Sequence, residues 1–405
     1  METTKEEKTL ENNPIFVTEV DMNGLCVLHI FRTQLGMMFS MSELAVELFK
    51  ENPGAFQKEV RAGRYKRFHI TDEDVLLRLA HLQIPSESIT VVGATFLPPD
   101  SVEAILFHRR KANLVNIIRL ALLKIVSADA AKLLGQGLFA DALPVTLDAI
   151  KKGRILYYPH HKLQLVPVYL LGAQANLGLG RTVQSEDMLG VAAWLLVEDD
   201  SEVNKNRICA EITRLFGRLY FLERKYDMSL KAYGENIFYT SRQYGHMDLR
   251  NSLGIYSLSR VFQVQDEVQK SRRCSDVVVE MWFLALKEVV LNIPYVRMAP
   301  WGKPQYPGLE EKPWDFKSQI NTMYFKEVTD MLQEISSYRA ATSGERDVSV
   351  AEVCLVLGLA FLYAQLFALA RQHLGHAADL YRGRQTHQAH EAMELVNSAL
   401  KIIPR

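Results

Sequence analysis

The sequence predicts a mainly α-helical chain: a right-handed α-solenoid of helical hairpins behind a small mixed α/β module. Three observations lead there. From Val102 onward, apolar residues recur near every 3.6 positions with few strand signals. Within that region small residues return at spacings of 43, 44 and 42 (positions 130, 173, 217 and 259). The first ~95 residues differ: near their start "IFVTEVDMNGLCVLHIF" alternates apolar with polar, the period of a half-buried strand.

The N-terminal module, residues 1–95, comes first. "IFVTEVDMNGLCVLHIF" alternates on either side of Asn23-Gly24, a two-residue hairpin signal. Ser40 and Glu43 have capping-box spacing, which predicts a helix that ends near Pro53-Gly54. Thr71 and Asp74 open another, "DEDVLLRLAHL", that stops before Pro85, and "FLPPDS" reads as a closing linker. Inside the module, "FQKEVRAGRYKRFH" carries Lys58, Arg61, Arg64, Lys66 and Arg67 with Phe56, Tyr65 and Phe68 interleaved. Such a run can meet an acidic surface such as a tubulin tail, or serve as the module's solvated face.

Residues 102–290 read as four hairpins in the tetratricopeptide style. That pattern needs a small residue where the first helix crosses the second, and another small residue in the second helix. Here the pairs are Ala130 and Ala142, Ala173 and Ser185, Gly217 and Ser229, and Ser259 and Ser271. A fifth pair, Gly358 and Ala370, falls in residues 319–405, where Gln319–Ala341 reads as another helix pair or one long helix and "QAHEAMELVNSALKII" caps the open end. Between these regions, residues 291–318 hold Pro294, Pro300, Pro304, Pro307 and Pro313, so they form a surface excursion and not a helix. "VCLVLGLAFLYAQLFALA" (353–370) has 18 residues without a formal charge, the short end of a membrane span. Gln365 near its middle and the missing aromatic or basic belt favour a buried hairpin instead, although Ala364-Gln365 lacks the usual turn glycine.

The chemistry available narrows the function. Lys plus Arg number 47 and Asp plus Glu 47, so no global charge draws the chain to nucleic acid or a membrane surface. The four cysteines (26, 209, 274 and 354) stand far apart, which points to a reducing compartment with no disulfide framework and no cysteine zinc site. "METTKEEKTLENN" has no apolar core of signal-peptide type. Gly178-Leu-Gly180 follows a helix, whereas a phosphate loop follows a strand and opens a helix; the glycines suit a turn. Gly172, in mid-helix, calls for the close approach of a neighbour. His373 with His376, and His387 with His390, could each chelate zinc from one helix face, but no third ligand is fixed by spacing, so exposed histidines are expected and no metal or cofactor. No nucleophile or paired-carboxylate motif appears, so an enzyme is not expected. First-helix positions expected to line the groove include Gln174, Arg214, Arg218, Arg260 and Gln263, where arginine favours carboxylate-bearing partners; the alternative is a solvated helix face.

"LQLVPVYLLGAQANLGLGRTVQSEDMLGVAAWLLV", with "QGLFADALPVTLDAI" before it and "YDMSLKAYGENIFYTSRQYGHMDLRNSLGIYSL" after it, resembles the zinc finger MYND domain-containing protein 12 family of ciliary tetratricopeptide-repeat proteins. "EMW" (280–282) and "LGLAFLYAQLFALARQHLGHAADL" follow in the same order, so the similarity spans about 100–400. The family's vertebrate members begin with a zinc-binding finger of clustered Cys and His; this sequence has no such cluster, and zinc is not carried over. The resemblance implies a non-catalytic axonemal scaffold of the cilium or flagellum. It would work with another tetratricopeptide-repeat protein at an inner dynein arm heavy chain, with tubulin as a further candidate partner. The alternative is a cytosolic peptide-binding adaptor or co-chaperone, which the lack of an obvious Lys/Asn carboxylate-clamp set weakens.

Overall fold

The computed structural model describes residues 16–21, 27–33, 36–48, 53–62, 65, 68–70, 94–108, 112–157, 163–198, 205–293, 316–321 and 325–404. The chain is mainly helical, a series of tetratricopeptide-like hairpins behind a small α/β module, and it divides into two compact units, Met1–Ile125 and Val126–Arg405.

In the first unit five strands form one antiparallel sheet: β1 (Phe16–Asp21), β2 (Val27–Thr33), β3 (Gly36–Ser40), β4 (Phe68–Ile70) and β5 (Ala94–Leu97), in the order β1-β2-β3-β5-β4. β1 and β2 pair as the alternation requires, with Asp21 opposite Val27; the Asn23-Gly24 turn lies outside the described residues. Ser40 ends β3 and caps α1 (Met41–Leu48), its hydroxyl accepting from the Glu43 amide at 3.4 Å. The Glu43 carboxylate accepts from the His29 amide and, at 2.5 Å, lies against His29 Nδ1, which pins α1 to β2.

Three expectations need correction in this unit. α1 stops at Leu48, and Pro53 opens α2 (Pro53–Ala62) rather than closing a helix, because proline's fixed φ and missing N–H suit a first helical position. "FLPPDS" is no linker: Phe96 and Leu97 belong to β5, and Pro99 opens α3 (Pro99–His108). The module also extends past residue 95. Val102, Ile105 and Leu106 of α3 and Val115, Ile118 and Leu122 of α4 (Ala112–Gly135) share one core with Leu28, Ile30, Phe39 and Leu97 of the sheet. A sheet face and an amphipathic helix face each need cover, so the first turns of α4 belong to the module. The "DEDVLLRLAHL" helix lies outside the described residues.

The second unit is built from hairpins. After α4 come α5 (Phe139–Tyr157), α6 (Val166–Gly178), α7 (Thr182–Glu198), α8 (Lys205–Leu222), α9 (Tyr226–Tyr244), α10 (Asn251–Val264) and α11 (Val268–Leu291). Then follow α12 (Phe316–Asn321), α13 (Phe325–Ser343), α14 (Val348–Tyr363), α15 (Phe367–Tyr381) and α16 (His387–Ile402). In every hairpin the paired small residues are twelve apart, and all ten are buried. Two second-helix serines use the close approach to bond the first helix, Ser185 Oγ donating to Ala173 O at 3.2 Å and Ser229 Oγ to Gly217 O at 2.8 Å; in the fourth hairpin the first-helix Ser259 Oγ donates to Ser271 O at 3.0 Å.

The turns repeat as strictly. Seven residues after each first small residue stands one with positive φ: Gly137, Gly180, Arg224, Asp266 and Gln365, at 76°, 71°, 60°, 59° and 60°. The next amide then reaches back five residues (Leu138 to Leu133, Arg181 to Asn176, Lys225 to Tyr220, Glu267 to Phe262, Leu366 to Phe361), closing a Schellman motif. The missing glycine at 364–365 is thus supplied by Gln365 in the left-handed region. Gly172 has its neighbour as well: a Cβ there would lie 2.7 Å from Met188 Sδ and 3.0 Å from Ile150 Cδ1.

The uncharged 353–370 segment is split between α14 and α15, and no described helix is long and apolar enough to cross a membrane. Gln319–Ala341 is divided between the short α12 and the longer α13, and the proline-rich 294–315 lies outside the described residues. α16 is capped by Thr386, which accepts from the Ala389 amide, and buries Ala389, Val396 and Ala399 against the last hairpin.

Candidate partner-binding cavity

The first helices of successive hairpins present one face in common, and their polar residues converge there. Gln174 of α6, Arg214 and Arg218 of α8, and Arg260 of α10 line a single cavity of ≈ 420 Å³. Gln263 opens onto a neighbouring pocket of ≈ 430 Å³ with Tyr256 and Glu334. Spacing explains the convergence: Arg214 and Arg218 are one turn apart on α8, so both point to the same side.

This face is no open groove. α13 runs along it and supplies the far wall of the cavity through Lys326, Glu327, Asp330, Met331 and Glu334. The other side of α13 is anchored: Val328, Leu332 and Ile335, with Met331 at the boundary, are at most 2% exposed in the core shared with α11 and α14. Burial of such side chains stabilises by about 1.5–3 kcal/mol each. At its C-terminal end Arg339 donates to Asp276 at 2.5 Å and to the Ser349 carbonyl at 2.7 Å, joining α13 to α11 and α14. The helix is therefore a fixed wall.

Two ion pairs cross the cavity, Arg214–Glu327 and Arg260–Glu334, and two lie within one helix each, Arg214–Glu211 and Lys326–Asp330. Arg214 lies 3.2 Å from Glu211 and 3.9 Å from Glu327; Arg260 lies 3.8 Å from Glu334 and stacks over Phe221; Lys326 holds Asp330 at 2.6 Å. Tyr256 donates to Glu334. Burial acts to lower the Arg214 guanidinium, but Glu211 and Glu327 outweigh it and hold the group above its ordinary value. Arg218 goes the other way, pushed down by burial and then by the like charge of Arg214. Its aromatic neighbour is Phe139, whose ring centre is 5.8 Å away. Tyr233, behind the arginines, is raised by burial while hydrogen-bonded with Ser257.

Sequence reasoning missed the acidic wall. Glu327, Asp330 and Glu334 are spaced by three and four, one stripe of a helix, and the matching Arg214/Arg218 stripe was the available signal.

The other candidates are dispersed. Lys58 is exposed on α2, Arg61 sits on the same helix, and Arg64, Lys66 and Arg67 lie outside the described residues. The interleaved aromatics are not a surface platform: Phe56 is 1% exposed, and Tyr65 packs against the same core. Among the described residues no three His, Cys, Asp or Glu side chains are grouped to hold a metal. His373 stacks on Phe361 at 5.2 Å, and His376 Nδ1 lies 3.6 Å from Cys354 Sγ. His387 pairs with Glu391, and His390 with the Thr386 carbonyl.

No family model matches the chain. The solved structures it is similar to include BtubC (BKLC) from P. vanneervenii and the apo form of the quorum sensor NprR from B. thuringiensis. The first is 12% identical, covers 69% of this chain and 85% of its own, and has a TM-score of 0.26. The second is 14% identical, covers 84% and 96%, and has a TM-score of 0.23. Likenesses of that size carry no argument about partners; the fold rests on the hairpins above. A helical-repeat fold with a charged cavity on its repeat face is compatible with an adaptor role.

Proposed function

We propose that the protein is a non-catalytic scaffold of the axoneme that docks partner segments at an inner dynein arm and so supports flagellar motility. The observation that carries the docking is the cavity, where α8, α10 and α13 bring charge of both signs together. The axonemal assignment draws on the resemblance of residues 100–400 to the ciliary family, which extends beyond the repeat consensus into the connections. The expected partners are a second tetratricopeptide-repeat protein and an inner-arm dynein heavy chain, with tubulin a candidate for the basic run around Lys58.

The test is fractionation with proximity labelling of the tagged full chain in flagellated cells. The tag should remain with detergent-extracted axonemes and label dynein-arm subunits, and Arg218→Glu with Arg260→Glu should reduce that labelling. Recovery of the whole pool in the detergent-soluble fraction would sink the axonemal reading. Tight binding of chaperone C-terminal peptides, together with that recovery, would favour the cytosolic adaptor.

A further inference from the structure

The ion pairs of the cavity do not use all of its cations. The lining carries four basic residues, Arg214, Arg218, Arg260 and Lys326, and three acidic ones, Glu327, Asp330 and Glu334. Arg214, Arg260 and Lys326 each meet an acid of α13, as described. Among the described residues Arg218 makes no ion pair and no hydrogen bond; the Phe139 ring beside it offers no acceptor oxygen. Gln174, on the adjoining first helix, likewise makes no hydrogen bond among the described residues.

We infer that the cavity is a receptor for one carboxylate, with Arg218 as its anion-binding residue. A half-buried guanidinium without a partner leaves a planar fork of donors that a carboxylate matches with two parallel bonds. Gln174 adds an amide donor. A carboxylate brings one negative charge toward the three acids of α13, whereas a phosphate dianion would bring two. Because α13 is held by its buried face, the ligand enters through the mouth of the cavity. It offers a chain end or one acidic side chain, and does not lie as a continuous strand along the repeats. The inference rests on the adaptor reading only in taking the carboxylate to come from a polypeptide.

Four probes separate the cases in a titration of the full-length protein with ¹⁵N-labelled arginine, read at the Arg Nε–Hε resonances. N-acetylglutamate α-amide stands for an internal acidic side chain and N-acetylleucine for a chain terminus. N-acetylglutamine α-amide is the neutral isostere, and inorganic phosphate is the competing anion. The Arg218 signal, assigned by its loss in Arg218→Gln, should shift saturably with a carboxylate probe and about tenfold more weakly with the neutral amide, roughly the value of one charge-assisted hydrogen bond. The tighter of the two carboxylates identifies the source. Arg218→Lys, which keeps charge but loses the fork, should weaken binding with an unchanged melting curve. Equal shifts with the neutral amide, tighter binding of phosphate, or saturable shifts confined to Arg214 or Arg260 would overturn the inference. The comparison of probes on the native chain stands even where a variant fails to fold. Loss of axonemal retention would leave this titration valid, and a negative titration would leave the axonemal reading standing.

Discussion

The hairpins α8–α9 and α14–α15 cross in the same way and live in different surroundings. Each places a glycine against a side chain sixteen residues on: a Cβ at Gly217 would lie 2.6 Å from the Tyr233 ring, and one at Gly358 would lie 2.6 Å from Leu374 Cγ. Each turns through a non-glycine residue at positive φ, Arg224 or Gln365. Yet α8 buries Ala210, Ile212, Leu215, Gly217 and Leu219 and turns its arginines to the cavity. α14 is buried nearly all round, from Ser349 to Leu362, because α11, α13, α15 and α16 surround it. The small positions and the turn set how a hairpin crosses; the residues on the remaining face of its first helix decide whether it is core or receptor.

The largest expected effect tests that shared crossing. Ala173→Leu should destabilise the repeats by about 1–3 kcal/mol, since Ala173 is fully buried beneath Ser185; an unchanged thermal melt would break the packing argument. Ser229→Ala removes the bond to the Gly217 carbonyl and should cost about 1 kcal/mol by denaturant titration. If it costs nothing, the serines fill space and do no more.

A third prediction concerns where α14 begins. Asp347 caps it, accepting from the Ser349 amide at 2.9 Å and hydroxyl at 2.5 Å, and those bonds hold its carboxyl below the ordinary value. A depressed carboxyl contributes stability that is present above its unfolded pKa of about 3.9 and lost as pH falls through the lower folded value. Asp347→Ala should cost about 1 kcal/mol at neutral pH. Asp347→Ser, which keeps a cap that does not titrate, should flatten the fall in melting temperature below about pH 4. An unaltered acid limb would show that other carboxyls govern it.

The smallest effects belong to the turns. Gly180→Ala should destabilise by about 1 kcal/mol and Gln365→Gly should stabilise by up to about the same amount, because only one of the two residues meets a Cβ penalty at positive φ. Effects of equal sign would mean that the turns are set by something other than backbone strain.

Much of the repeat unit was legible. The small residues needed no tertiary knowledge, because two helices joined by a tight turn must cross at a fixed distance from it. The strand pair around Asn23-Gly24 was visible in its alternation. β3 was not, since "GMMFS" is too short to show a period, and the docking of α3 and α4 on the sheet hid inside an ordinary helical pattern. On the repeat face the arginines could be named individually, but the acids that face them lie far along the chain. Tyr256 meets Glu334 across 78 residues.

Within the five hairpins the sequence alone determined the crossing residues and the place of each turn, because those depend on contacts within one hairpin. Only the tertiary structure decided that α13 walls the repeat face, that its Glu327 and Glu334 meet Arg214 and Arg260, and that Arg218 is left over. Those outcomes depend on where a buried apolar stripe, Val328 to Ile335, finds its cover, and a local pattern records that a stripe needs cover without recording which helices supply it.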